Sequence, residues 1–198
     1  THTAASVLVG AGTSAITSVA PGTSGNLLTS NGSAWTSAAA AAGGPYALIS
    51  STTCSSTSSV TFSSLSATTQ YMLVLNQIST SVASARIEVQ LGDKTSAYDW
   101  VLRRDASNSA TPDALYDGSA SQFDISYQIA ASIKLSGTWL CSTLGGITGA
   151  YHYNGPTGTV GGEMYGTVEN NSGVQSIIVR PSSGTFLTGV VALYSLGA

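Results

Sequence analysis

The sequence predicts an all-β protein: an antiparallel β-sandwich of jelly-roll type, preceded by a short intertwined or extended N-terminal shaft. Three observations predict it. Apolar and polar side chains alternate with a period of two in several segments after residue 45. No segment carries a convincing helical period, and Gly, Asn, Asp and Ser punctuate the apolar runs at strand-length intervals. The 198 residues allow one full-sized core and an appendage, divided here into residues 1–45 and residues 46–198.

Residues 1–45 contain three loosely similar units, at 12–18, 22–30 and 32–37. Each joins a Gly turn, a short apolar pair or an aromatic, and a Thr-Ser ending. One chain with so few apolar residues per turn cannot bury enough surface to offset the entropy of ordering itself. Two readings follow: a thin shaft in which three copies wrap around one axis and cover each other's apolar clusters, or a flexible Gly/Ser/Ala linker. Residues 38–44 read as a hinge or a short helical neck, closed by Pro45. The first residue is Thr rather than Met, which suggests the ordered or processed end of a longer polypeptide.

From Tyr46 onward, strand follows strand. Residues 85–91 and 123–129 alternate without a fault, giving each one buried and one wet face. Further strands are expected at 46–50, 59–65, 70–78, 98–103, 133–140, 146–151, 163–168, 174–180 and 185–194, with the polar excursion 106–122 as a loop turning at Asp117-Gly118. Strands at this spacing make a sandwich. In the last strand Phe186, Val190, Ala192 and Tyr194 fall on one face and Leu187, Val191 and Leu193 on the other. A strand apolar on both faces is covered twice, either within a large single-chain core or by another subunit.

Charge narrows the functional classes. Only 8% of residues are charged, the net charge is -3, and no Asp, Glu, Lys or Arg precedes Arg86. Six scattered cations form no stripe that can neutralise phosphates, so nucleic acid is not expected as a partner. The longest small-apolar run, residues 38–42, is far too short to span a bilayer, so membrane insertion is not expected either. Cys54 and Cys141 leave two states open, one disulfide or two buried thiols.

Residues 21–37, Pro-Gly-Thr-Ser-Gly-Asn-Leu-Leu-Thr-Ser-Asn-Gly-Ser-Ala-Trp-Thr-Ser, closely resemble a segment common in tailed-phage fibres, in which an Asn-Gly turn, a Leu pair and a Trp coincide ahead of a C-terminal β-rich head. The resemblance implies a homotrimeric virion component, joined to other virion proteins upstream, that attaches to a host-surface glycan or protein. Fibres of this kind sit on tails or on capsids. Some long members carry repeated His-x-His pairs that bind iron; this chain, with only His2 and His152, lacks them.

No hydrolase elbow, phosphate loop, metalloprotease helix or Cys-x-x-Cys pair is present, so no catalytic residue, metal or cofactor is expected. Among the acidic residues, no spacing singles out a glycosidase pair. The cluster at 99–105, with Trp100, Arg103 and Arg104, reads either as a contact for an anionic sugar or as ion pairs at a strand end or between subunits. The leading receptor-contact candidate is the Gly-rich run 149–162, taken as a surface loop presenting Tyr151, His152, Tyr153 and Asn154. A second candidate is Tyr116 with Asp117 inside the polar excursion. Beside an attachment fibre stand two alternatives: a purely structural capsid fibre or decoration protein, and a bacterial lectin or carbohydrate-binding module.

Overall fold

Period-two patterning, punctuated by residues that accept left-handed backbone, leaves no place for helix. The computed structural model, described over residues 6–10, 16–30, 32–39, 46–92, 94–106, 113–131, 133–142, 144–155, 158–169 and 173–196, has only strands and turns in those residues. The chain divides into two compact units, Thr1–Gly44 and Pro45–Ala198.

The N-terminal unit contains two antiparallel hairpins. β1 (Val7–Val9) pairs with β2 (Thr17–Val19), and β3 (Asn26–Ser30) pairs with β4 (Trp35–Ala39). Gly22, Gly25 and Gly32 hold positive φ values of 68°, 91° and 88° at the turns, conformations that cost other residues far more. The Asn26 side-chain amide donates to the Ser37 hydroxyl at 3.0 Å, and that hydroxyl donates to the Pro21 carbonyl. Val7, Leu8, Ile16, Leu27, Leu28 and Trp35 all remain exposed. Two-stranded ribbons with their apolar side chains in water are marginal on their own. Residues 38 and 39, expected in a hinge or helical neck, continue β4. The remainder of that segment, and residues 12–15 of the first repeat, lie outside the described residues.

The C-terminal unit is an all-β antiparallel sandwich. Its strands are β5 (Tyr46–Thr53), β6 (Val60–Phe62), β7 (Gln70–Thr80), β8 (Ile87–Leu91), β9 (Tyr98–Ala106), β10 (Asp113–Ala120), β11 (Phe123–Asp124), β12 (Leu135–Cys141), β13 (Gly146–Gly155), β14 (Gly158–Val168), β15 (Ile177–Pro181) and β16 (Phe186–Leu196). One sheet runs β10-β9-β14-β13-β12-β7-β16-β5 and the other β11-β8-β15-β6. The pairs β5/β16, β6/β15, β7/β12 and β8/β11 nest like a long hairpin rolled up on itself, which is jelly-roll order. The remaining hairpins, β9-β10 and β13-β14, pair with one another and widen the first sheet beyond β12.

The core lies between the sheets. Leu73, Leu75, Trp139, Ile147, Met164 and Val191 from the large sheet are buried together with Phe62, Val89, Leu91, Ile177 and Val179 from the small one. Each fully buried aliphatic side chain contributes about 1.5–3 kcal/mol relative to exposure. Cys54 and Cys141 are both buried and free.

Four expectations are corrected. Only Phe123 and Asp124 of the segment 123–129 are strand, and its supposed wet face is partly buried: the Ser126 hydroxyl accepts from the Ile87 N–H at 2.9 Å, and Asp124 binds Arg86. The excursion 106–122 contains β10, with Asp117-Gly118 in a bulge rather than a turn. The run 149–162 is the β13–β14 hairpin, not a surface loop. Finally, Phe186 is buried with Val191 and Leu193 while Leu187 is exposed, the reverse of simple alternation. Irregular pairing around Gly189 (φ 103°) and Gln77 (φ 55°) re-aims the strand between Phe186 and Val191.

Candidate functional site

The edge strand β10 borders two adjoining clefts. Tyr116 stands opposite Val101 of β9, and Val101 stands opposite Tyr165 of β14, so the three share the outward face of the large sheet. The tyrosines are 81% and 62% exposed, with the smaller Val101 between them. Two strand spacings separate their backbones, roughly 10 Å. The resulting cleft, about 460 Å3, has Asp99, Asp117, Gly118 and Thr167 at its end. Gly118 lies beside Asp99, whose Oδ1 stands 3.5 Å from the point a Cβ would occupy, ordinary van der Waals contact. Past Asp117 the β10 register shifts, and Asp117 Oδ1 accepts from the Ser119 N–H at 3.0 Å, fixing the bulge.

A second cleft of about 430 Å3 adjoins the first and shares Trp100, Tyr116 and Asp117 with it. It is polar, lined also by Arg86, Glu88, Gln122, Asp124 and Gln128. Arg86 Nη1 donates to Asp124 Oδ2 at 2.6 Å. Burial pushes the Asp124 carboxyl up, against the pull of Arg86, which lowers it. Glu88 is bound by Arg180 Nε at 2.9 Å. Arg86 and Arg180 thus each hold one of the three carboxylates at this cleft, and the cleft offers acceptors to hydroxyl or ammonium donors.

The structure separates the sequence candidates. Tyr116 and Asp117 lie together at these clefts. Tyr151 and Tyr153 do not: they are 3% and 7% exposed, on the inward face of β13, which corrects their expected role as exposed receptor contacts. The Tyr127 N–H donates to the Tyr151 hydroxyl at 3.1 Å, and the Tyr151 and Tyr153 rings stack with centroids 6.3 Å apart. Burial pushes the Tyr151 phenol up to about 12 and raises that of Tyr153 as well. His152 and Asn154 face outward on β13. His152 lines a separate depression, and Asn154 Oδ1 accepts from the Thr159 hydroxyl at 3.0 Å. The cluster at 99–105 follows the ion-pair alternative: Arg103 approaches Asp105 at 3.6 Å and Glu163 at 3.9 Å, and the Arg104 guanidinium sits 4.0 Å over the Tyr127 ring.

Sequence reasoning missed Tyr165 as a cleft residue, and it read Asp99 and Val101 only as part of the 99–105 cluster. The signal for Tyr165 was present, because alternation opposite Met164 points its ring outward. Nothing in the sequence pairs β9 with β14 across some sixty residues.

No group of three His, Cys, Asp or Glu side chains among the described residues is placed to hold a metal ion, and no helix there is long and apolar enough to cross a membrane. Fold and cleft define a class: a jelly-roll sandwich with an aromatic-walled, acid-lined cleft on one outer face. No protein-family model matches this chain, and no curated protein matches its sequence.

Proposed function

We propose that this chain is the distal shaft and head of a trimeric phage fibre, and that its head attaches the virion to the host by holding a neutral surface glycan in the Tyr116–Tyr165 cleft. The observation that carries the binding reading is the pair of exposed tyrosines facing each other across Val101, with Asp99, Asp117 and Thr167 at the end of the gap. A pyranose ring offers apolar faces to aromatic walls and a rim of hydroxyl donors to carboxylates. The surplus of carboxylates favours neutral or amino sugars over acidic ones. The virion assignment is supported by the resemblance of residues 21–37 to phage-fibre segments. Three heads on one fibre convert weak single-site capture into useful avidity.

A glycan array probed with the wild type, with a Tyr116→Ala/Tyr165→Ala double variant and with Asp117→Asn tests this. The wild type is expected to retain neutral glycans and no acidic ones. The double variant should lose that signal, and Asp117→Asn should weaken it by about tenfold, the value of one charge-assisted hydrogen bond. Full retention by the double variant refutes the cleft, and signal confined to acidic sugars refutes the ligand class. A wild type that binds no glycan favours the purely structural fibre.

A further inference from the structure

The Tyr116–Val101–Tyr165 row does not stop at β14. Thr148 of β13 comes next, followed by Leu140 of β12, Met72 of β7, Tyr194 of β16 and Leu48 of β5, each directly opposite its neighbour. Thr148, the one polar member, divides the row. The side around the tyrosine cleft holds all the charges of the sheet, such as Asp99, Arg103 and Glu163. β13, β12, β7, β16 and β5 contain no Asp, Glu, Lys or Arg at all. On this uncharged side Leu140 is 46% and Leu48 56% exposed, Met72 and Tyr194 are partly exposed, and Tyr46 and Ile49 of the edge strand are exposed as well.

We infer that the uncharged side of the large sheet is the surface through which the sandwiches of separate copies of this chain associate. This rests on the self-association in the reading above and not on its receptor. Five strands about 4.8 Å apart and some eight residues long present on the order of 650 Å2 in projection, close to the ~800 Å2 per partner of a standard interface. The apolar row Leu140, Met72, Tyr194 and Leu48 runs through it, flanked by the neutral polar residues Gln70, Ser136 and Thr138. A second copy is the occupant that the charge distribution favours. Such surfaces turned towards a common axis meet without burying an unpaired charge, and interface cores are depleted of charge in just this way. A basic or acidic partner finds no complement here. Exposed apolar side chains occur in the N-terminal unit as well, at Leu8, Leu27 and Trp35.

Sedimentation velocity on the full chain and on a Leu48→Lys/Leu140→Lys double variant tests the inference, with circular dichroism and thermal unfolding to check the fold. The wild type should be oligomeric. The folded variant should shift to a smaller species or need about tenfold more protein to associate. A folded variant that keeps the wild-type mass overturns this surface while leaving oligomerisation standing, and a wild type that is monomeric at every concentration overturns both. Neither outcome touches the glycan array. If the variant fails to fold, hydroxyl-radical footprinting of the wild type decides. Met72, Leu140 and Tyr194 should be protected relative to Tyr165, and labelling at the level of their single-chain exposure overturns the inference.

Discussion

Trp139 owes its place in the core to two glycines. Its indole lies over Gly137 on its own strand and over Gly149, its partner on β13; a Cβ at either position would run into the ring. Gly162 makes the same room for the Tyr151 ring, and Gly166 for Phe123. Glycine inside a strand is otherwise unfavourable, so these residues act as recesses that let aromatic rings lie flat on the sheet. Gly149→Ala should therefore cost about 1–3 kcal/mol by overpacking. Gly161→Ala, whose Cβ would meet only the Tyr151 carbonyl oxygen at 3.7 Å, should be close to neutral. Denaturant midpoints of the two variants compare them directly, and equal losses would refute the recess explanation. The Gly-rich run 149–162 read as a loop because glycine is the commonest turn residue. Its second use, as space for a ring on a neighbouring strand, depends on partners that sequence spacing does not reveal.

At the scale of the element, alternation was legible wherever a strand packs on one face only. Residues 87–91 of β8 alternate in burial as their sequence does. It failed where pairing is irregular. Gly189 and Gln77 face each other across β16 and β7, and the disturbed register puts Phe186 in the core. β10 was missed because an exposed edge strand needs no apolar alternation, and its Asp-Gly pair makes a bulge. β12 and β13 place Cys141 and Tyr151 on their inward faces, which gives the sandwich a sensitivity to alkali. Burial raises the Cys141 thiol from 9.0 and the Tyr151 phenol from 10.0, each to about 12. Both groups hold their protons more tightly folded than unfolded, so their stabilising contribution is complete below about pH 9 and is lost as pH rises to about 12. For Tyr151 this is on the order of 3 kcal/mol. Denaturant midpoints measured from pH 8 to 12 should fall across that window, and midpoints constant through pH 12 would contradict the assignment.

Across the whole molecule, the all-β sandwich was legible because patterning and turn chemistry agree along the chain. Strand order was not: the pair β5/β16 joins residues more than 130 positions apart, and no local signal encodes it. The same limit hid the cleft, since Tyr116, Val101 and Tyr165 converge from three strands only once β9 lies between β10 and β14. Tyr116 and Asp117 were visible as an aromatic and a carboxylate in a polar segment; their partners became visible with the fold. The large sheet thus divides its outer face between a charged side, with the cleft, and an uncharged side free of Asp, Glu, Lys and Arg. Methyl-detected NMR of the full chain titrated with neutral oligosaccharides tests the central claim most directly. The account predicts saturable shifts at the Val101 methyls, at the centre of the cleft, with the Ile147 and Val191 methyls of the core unmoved. Shifts absent at Val101, or centred on the depression that holds Val74 and His152, would contradict it.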